Sequence, residues 1–562
     1  MSKEAGRANC EFLTGLRELR SIHYKDKIMR DRKILKNKFY LYLTEFFSGM
    51  AVMAVELGAS RLLAPYFSSS QIVWTIIIGT IMIAMALGNV WGGRKADKDP
   101  NPDKLYRRLL IAAVWIAAIP VLGKYVILGI SGVLVVTIST NFLIWAAFLA
   151  CMIIFVYPLF LLGTVTPSLV KYTMDNLENN GRTVGTLNAC NTIGSIIGTF
   201  LPTFVTIPAV GTSVTFFIFS GIILVLALIY FISAHTKAIA CIVSAALFIF
   251  FSIFGTLFNS FAFWETDLVY EGESVYNYLQ VKETDTSVIL STNVLFGVQS
   301  IMMKDDSLTG MYYDYALASL VMADLQEKED AKVLVLGMGT GTFATQCQEY
   351  FPDASIEGVE IDESITELAY EYFELSDQIT VTTYDGRAYL QAIDKKYDVI
   401  MVDAYQDITI PFQMSSEEFF TLVAEHLTDD GIMVVNMNMH SDEEGNINDY
   451  LADTIASVFS DVYTVDVSGS TNRELFASNG VDLAAAMEEN TEALTDLELK
   501  AMMITVGDNM EAYEAGDYLL TDDKAPVELL GMQVIDDLIT EELSYYKEIF
   551  EEEGIPGLLN SF

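Results

Sequence analysis

Four short segments in the C-terminal half combine acids and glycines in an order that suits a nucleoside-bearing ligand. The first is Gly337-Met338-Gly339-Thr340-Gly341. Glycines there let backbone approach a ligand closely and open a helix. Glu360 follows Gly341 by 19 residues, the place from which a carboxylate accepts hydrogen bonds from both ribose hydroxyls. The third segment, Asp385-Gly386-Arg387, offers an acid that can accept from an exocyclic amino group of adenine. The fourth runs Asp403-Ala404-Tyr405-Gln406-Asp407, where an acid can take a proton from an amine or hold a cation. Any one of these acids alone reads as a solvated surface residue. Their recurrence at successive strand ends is what carries the signal.

Strands must present such loops, and the pattern from Ala331 onward supplies them. KVLVLG, SIEGVEID, ITVTTYD, YDVIMVDAY, GIMVVNMN and VYTVDVS read as strands, with helices between them, including one from Ser416 and one from Asn446. A βαβ series of this kind predicts a doubly wound, mostly parallel sheet that binds ligands at the carboxyl ends of its strands. Residues 267 to 303 differ: LVYEGES, YNYLQVKE, TSVILST and VQSIMM alternate with period two and predict a small antiparallel sheet.

The N-terminal half is of another kind. Seven apolar runs, near residues 39–64, 71–93, 109–130, 141–165, 186–208, 212–234 and 238–259, reach the roughly 20 residues that a membrane-crossing helix needs. Lys and Arg concentrate in the N-terminal arm and in the loop after the second run, which predicts a cytoplasmic N terminus in a multi-pass protein of the cell membrane. No apolar core precedes Phe39, so the first span is expected to insert uncleaved. Seven spans would carry the C-terminal half to the outside, whereas one more or one fewer would keep it in the cytoplasm. Inside the spans, Glu45 and Glu56 share a helix face, Arg61 follows, and Asn188 and Asn191 are one turn apart. They read either as a solute or proton path or as internal polar packing, and Gly194, Ser195 and Gly198 read as close helix packing.

Charge divides the 562 residues at the same boundary. Residues 261–562 carry 11 Lys/Arg against 62 Asp/Glu, a net of −51 within a whole-chain charge of −41. Such a surface excludes nucleic acid as a partner of that half. Of the five cysteines only Cys347 lies there, which excludes a disulfide framework. Neither His426 nor His440 has a metal-ligand spacing, and no nucleophilic triad is present, so no metal is expected. The acidic stretch from Glu541 to Glu553 reads as a solvated helix face. The domains are thus a basic cytoplasmic arm (1–38), a transmembrane helical domain (39–260), a β-sheet (264–310) and a Rossmann-like domain of the S-adenosylmethionine-methyltransferase type (311–562).

Taken in order, both halves resemble the membrane-embedded branch of the spermidine synthase family. The resemblance rests on ELGASRLLAPYF from Glu56, Trp74, GNVWGGRKAD from Gly88, Gly163 to Pro167 and Gly185 to Pro208. In the second half it rests on ESVYNYLQV from Glu273, Gln299-Ser300, LTGMYYDYALA from Leu308, VLVLGMGTG, VEID, YDG, VDAY with Pro411 and EEFF, and TDDKAPVE from Thr521. It covers nearly everything from residue 39 onward. It implies transfer of an aminopropyl group from decarboxylated S-adenosylmethionine to an amine such as putrescine, with the bilayer as a further partner and a homodimer as the assembly.

Carried onto these residues, the resemblance makes Glu360 the ribose ligand, Asp385 with Gly386 the adenine side, and Gly337, Gly339, Thr340 and Gly341 the cofactor loop. Asp403, Tyr405 and Asp407 become the catalytic loop, Gln299 and Asp314 polar contacts from the lid side, and Tyr312 or Tyr313 a wall of the amine site. Two departures stand out. Thr340 occupies the place of an Asp that holds the aminopropyl amine, and Asp407 follows Asp403 by four residues rather than three. Intact S-adenosylmethionine is therefore an alternative donor, which would make the protein a methyltransferase-like relative. A transporter-like membrane domain with a nucleoside- or polyamine-sensing soluble half is the reading from another class.

Overall fold

Helices fill the first half and sheets the second, as the change of sequence period predicts. The computed structural model describes residues 33–67, 70–137, 141–173, 180–294, 297–305, 307–404, 410–438 and 444–534. Most of the basic arm, the acidic stretch from Glu541 to Glu553, Tyr405, Asp407 and His440 lie outside the described residues. The chain separates into two units, one made of Met1–Leu63, Val73–Gly132 and Ile144–Phe261, the other of Ala64–Ile72, Val133–Leu143 and Ala262–Phe562.

The helical unit contains five runs long and apolar enough to cross a membrane among the described residues, or six if the bent pair Phe142–Ile154 and Val156–Thr173 is one span. The helices outrun the apolar stretches at polar ends: the second extends to Lys98. Residues 181–234 form one helical run of 54 residues by composition, which would be about 80 Å long if straight. It is not straight. Gly211 has φ 79° and ψ 170°, and the Thr215 hydroxyl donates to Thr206 Oγ1 at 3.0 Å. Nine residues on a straight helix lie about 13 Å apart, so the helix is broken and bent at Gly211, a conformation that a residue lacking Cβ adopts without strain.

Small residues bring these helices close. A Cβ on Gly194 or Gly198 would run into the carbonyls of Phe46 and Met50, so the expected packing role of those glycines holds. Asn191 donates to Glu45 Oε1 at 3.0 Å and Thr166 does so at 2.5 Å. Asn188 is exposed instead and does not share this contact: three residues fall short of a full turn and leave it about 60° round the helix from Asn191.

The second unit holds two sheets. Strands β1 (Leu268–Glu273), β2 (Tyr278–Glu283), β3 (Ser287–Ser291) and β4 (Ser300–Met303) form an antiparallel meander in that order. The larger sheet comprises β5 (Lys332–Leu336), β6 (Ser355–Glu360), β7 (Thr380–Thr383), β8 (Tyr397–Val402), β9 (Leu427–Met437), β10 (Asp461–Asp466), β11 (Arg473–Ser478) and β12 (Glu511–Ala512). Its order is β12-β10-β11-β9-β8-β5-β6-β7. Strands β5 to β9 pair in parallel and β9 to β12 antiparallel. The βαβ reading holds for the parallel part.

The sequence reading missed β11, which intervenes between β9 and β10. Its segment RELFAS puts Glu474 at an inward position, breaking the apolar alternation that marks a half-buried strand. On one face of the sheet, Val333, Val335, Val399, Met401, Ile432, Val434, Phe476 and Val465 pack into a core with the helices over Tyr312–Met322 and Leu483–Asn509.

Candidate active site

At the carboxyl ends of β5, β6 and β8, and just beyond β7, the chain leaves the sheet around a cavity of about 310 Å³. Its walls bring together Gln299, Gly337, Gly339, Glu360, Asp385, Gly386 and Asp403, seven of the residues predicted from sequence. Parallel strands place their ends side by side, so loops far apart in sequence converge there.

Each acid is held by its own element. Glu360 ends β6; its carboxylate accepts from the backbone N–H of Gly339 at 2.9 Å and of Asp362 at 2.9 Å. Burial pushes this carboxyl up to about 7 against those two hydrogen bonds, with the neighbouring Asp362 charge adding to the rise. Asp385 caps the helix Gly386–Ala392 by accepting from Ala388 N–H at 2.8 Å, which fixes its side chain at the cavity wall.

Asp403 follows β8 and is held from two sides. The phenol of Tyr312 donates to Oδ2 at 2.6 Å and Asn436 Nδ2 donates to Oδ1 at 2.9 Å. Asp403 lines the cavity, and burial pushes its carboxyl up to about 7 although both donors favour the anion. A carboxyl that titrates near neutrality can take a proton from a bound group and release it again. Burial and the adjacent Asp403 charge hold the Tyr312 phenol far above its ordinary value, so it remains a donor. Tyr313 lines the cavity and donates to the Gln299 carbonyl at 2.7 Å.

Glycine is required at two points of the first loop. Gly337 has φ 80°, and a Cβ there would lie 2.6 Å from Ala404 Cα. Gly339 has φ 58° and points its N–H at Glu360. The loop then turns away. Thr340 and Gly341, predicted as cofactor contacts, do not line this cavity; they line a separate recess beside Met302 and Gln346. The cause is the left-handed backbone of Gly339 and Gly341, which directs Thr340 N–H to Ser300 Oγ at 3.0 Å and starts the helix Thr342–Tyr350. Asp314 is likewise absent from the cavity wall: its carboxylate is taken up by Thr309 N–H at 3.1 Å, Gly310 N–H at 2.6 Å and Gln346 Nε2 at 2.7 Å.

Several wall residues escaped the sequence reading. Asn277 and Tyr276 come from the turn before β2, and Pro411 and Gln413 from the segment after the fourth loop. Arg387 secures that segment, donating to the Gln413 carbonyl at 3.0 Å and making a two-pronged contact with Asp522 at 2.7 Å on each oxygen. Ser416 adds a 2.6 Å hydrogen bond to Asp522. The signal available was the Arg in Asp385-Gly386-Arg387, whose guanidinium fork suits a carboxylate. Among the described residues, no group of three or more His, Cys, Asp or Glu could hold a metal ion.

A Rossmann-like sheet with acids at its successive strand ends around one cavity belongs to the methyltransferase type, in which a nucleoside sulfonium is the usual donor. The particular family follows from comparison with known proteins. Residues 311–468 match the spermine/spermidine synthase domain. A probable polyamine aminopropyl transferase of Bifidobacterium longum is 54% identical over 354 residues, covering 59% of this chain and 78% of that protein. The polyamine aminopropyltransferase of Vibrio vulnificus is 27% identical over 295 residues, covering 50% and 97%. A probable spermidine synthase structure from Corynebacterium glutamicum aligns with TM-score 0.35 and 18% identity over 45% of this chain and 98% of that one. The chain belongs to the spermidine synthase family of polyamine aminopropyltransferases and is a transferase.

Proposed function

We propose that the chain is a membrane-bound aminopropyltransferase that moves the aminopropyl group of decarboxylated S-adenosylmethionine to putrescine or a related amine. The observation that carries this reading is the convergence of Glu360, Asp385 and Asp403 on one cavity. Glu360 holds the ribose hydroxyls, Asp385 the adenine amino group, and Gly337 and Gly339 let backbone meet the nucleoside. Asp403 takes the proton from the attacking ammonium group. The free amine then displaces sulfur at the adjacent carbon: the C–N bond forms as the C–S bond breaks, and methylthioadenosine leaves with the bonding pair. This in-line displacement needs alignment, a deprotonated amine and anionic walls for cationic substrates. Asp407 and Tyr405 complete the catalytic loop, and two copies form the working assembly.

The membrane part of the reading draws on the long apolar runs and on their outer faces. The helix Ala238–Leu257 has only 11% of its most apolar window buried, and Ile239, Ile242 and Leu257 are exposed, a surface suited to lipid. Read as two crossings joined at the bend at Gly211, residues 181–234 bring the count to seven when the bent pair is taken as one span. A basic N-terminal arm favours a cytoplasmic start, so the catalytic half lies on the opposite side, a topology read by labelling D523C in sealed vesicles.

The donor is tested by calorimetry on the purified full-length protein. Decarboxylated S-adenosylmethionine is expected to bind more tightly than the intact compound. The reverse preference supports the methyltransferase alternative, which the Thr340 departure motivates.

A further inference from the structure

Glu474 stands on β11 inside the large sheet. It is 0% exposed, and neither of its carboxyl oxygens has a hydrogen-bond partner among the described residues. Natural proteins rarely bury a carboxyl in this way, because its desolvation is uncompensated. An apolar residue would fill the position at lower cost, and sites that keep such a cost are commonly functional.

Its place in the sheet gives the reason. Glu474 on β11 is the direct cross-strand partner of Asn436 on β9. Asn436 lies one residue beyond the Val402–Val435 pair, level with Asp403 after β8, and donates to Asp403 Oδ1 at 2.9 Å. Paired residues on neighbouring strands point to the same face, so Asp403, Asn436 and Glu474 form one transverse row, its two acids about 10 Å apart at the backbone. Asn436 is fixed in its donating orientation by Asn472, whose Nδ2 donates to its Oδ1 at 2.8 Å. The buried or half-buried titratable groups on the elements packed over this face are Asp403, Asp314 and the phenols of Tyr312, Tyr313 and Tyr315 from the helix above, and Tyr463 on β10; on the helices over Leu483–Asn509, Glu488, Glu489, Glu492, Glu498 and Asp508 are exposed and Lys500 half-exposed. Opposite Glu474 on β10 is Val465. The Asp403 charge further opposes ionisation of Glu474, which burial already disfavours.

We propose that Glu474 is a positioning residue that keeps its proton and, coupled to Asp403 along this row, confines the two acids to a single negative charge. Resting on the reading of Asp403 as the proton acceptor, the proposal makes Glu474 the group that leaves Asp403 as the one anion facing the amine. Ionisation of Glu474 puts a second charge beside Asp403 and ends the productive state, which gives kcat/KM an alkaline limb.

The test is a pH series of infrared spectra on full-length protein in lipid nanodiscs, comparing wild type with E474Q and D403N. The wild type is expected to show a carboxylic-acid C=O band that persists where Asp403 is ionised and is missing from E474Q. In D403N that band titrates lower by about one pH unit or more, because the like charge has gone. The alkaline limb of kcat/KM disappears in E474Q and in E474M, neither of which can ionise at this position, and E474M melts at a higher temperature than wild type. A band that titrates identically in wild type and D403N overturns the coupling, as does an E474Q pH profile superimposable on wild type. The infrared result does not depend on catalysis: coupling found without aminopropyl transfer leaves the pair standing and removes the reading of the reaction.

Discussion

The two halves of this chain bury carboxyl groups in opposite ways. In the helical unit, Glu45 is fully enclosed with Thr166 and Asn191 both directed to one of its oxygens, and the buried Lys124 ends on the carbonyls of Phe258 and Ser260 at 2.9 and 2.7 Å. These groups tie helix to helix. In the sheet-rich unit, Glu360 and Asp403 are also held by donors, yet each keeps an open side toward a shared cavity. A buried acid is thus structural where its neighbours close around it and reactive where the fold leaves a space beside it. The topology explains the difference: parallel strands end together and leave a crevice, whereas at Gly194 and Gly198 helix meets helix at the backbone of Phe46 and Met50.

The strongest way to break this comparison is to change Asp403. D403N is expected to lower kcat by roughly 10²–10⁴-fold, the usual contribution of a positioned base, while leaving the melting temperature at or above that of wild type, since an enclosed carboxyl has been neutralised. E360Q is expected to weaken donor binding about 10- to 100-fold, the effect of losing hydrogen bonds to a charged group, with kcat less affected; isothermal calorimetry reads it. R387M frees the Gln413 segment and should raise the amine KM several-fold, on the order of the 1 kcal/mol assigned to a partly exposed pair. The smallest effect belongs to the other region: E45Q should leave transfer kinetics in nanodiscs unaltered. A large kinetic effect of E45Q would mean that the helical unit takes part in the chemistry.

Titration sharpens the same contrast. Asp403 and Glu360 are both raised from the ordinary carboxyl range to about 7. At these two groups the folded chain binds more protons than the unfolded chain between about pH 4 and 7, so the stability they contribute falls as pH rises across that interval. The activity of a base rises through the same interval, because Asp403 must be ionised to act. Chemical denaturation and rate profiles measured together should run in opposite directions, and D403N should flatten part of the stability slope.

How much of this was legible in the sequence follows from what each residue reports on. Buried parallel strands carry apolar runs ended by polar loops, so β5 and β8 with their strand-end loops could be read directly, while the half-exposed β7 was legible from its β-branched Thr and Val. Gly337 and Gly339 were legible because a left-handed backbone calls for glycine. The fate of Thr340 and Gly341 was not, since spacing does not show which way a loop turns after a positive φ. Asp314 reads the same whether a carboxylate is tied up by its own turn or directed at a ligand. Asn436 and Glu474 were hidden for a further reason: their role depends on cross-strand register, which no local pattern encodes. In the helical half, hydropathy located the long apolar helices, while the bend at Gly211 takes its evidence from the Thr206–Thr215 contact.

The most direct test of the central claim is mass spectrometry of putrescine incubated with decarboxylated S-adenosylmethionine and the full-length protein, wild type beside D403N. The account predicts that the wild type adds one aminopropyl group to the amine and releases methylthioadenosine, and that D403N does so at a rate lower by orders of magnitude. An amine returned unchanged by the wild type, or a D403N rate equal to it, would contradict the account.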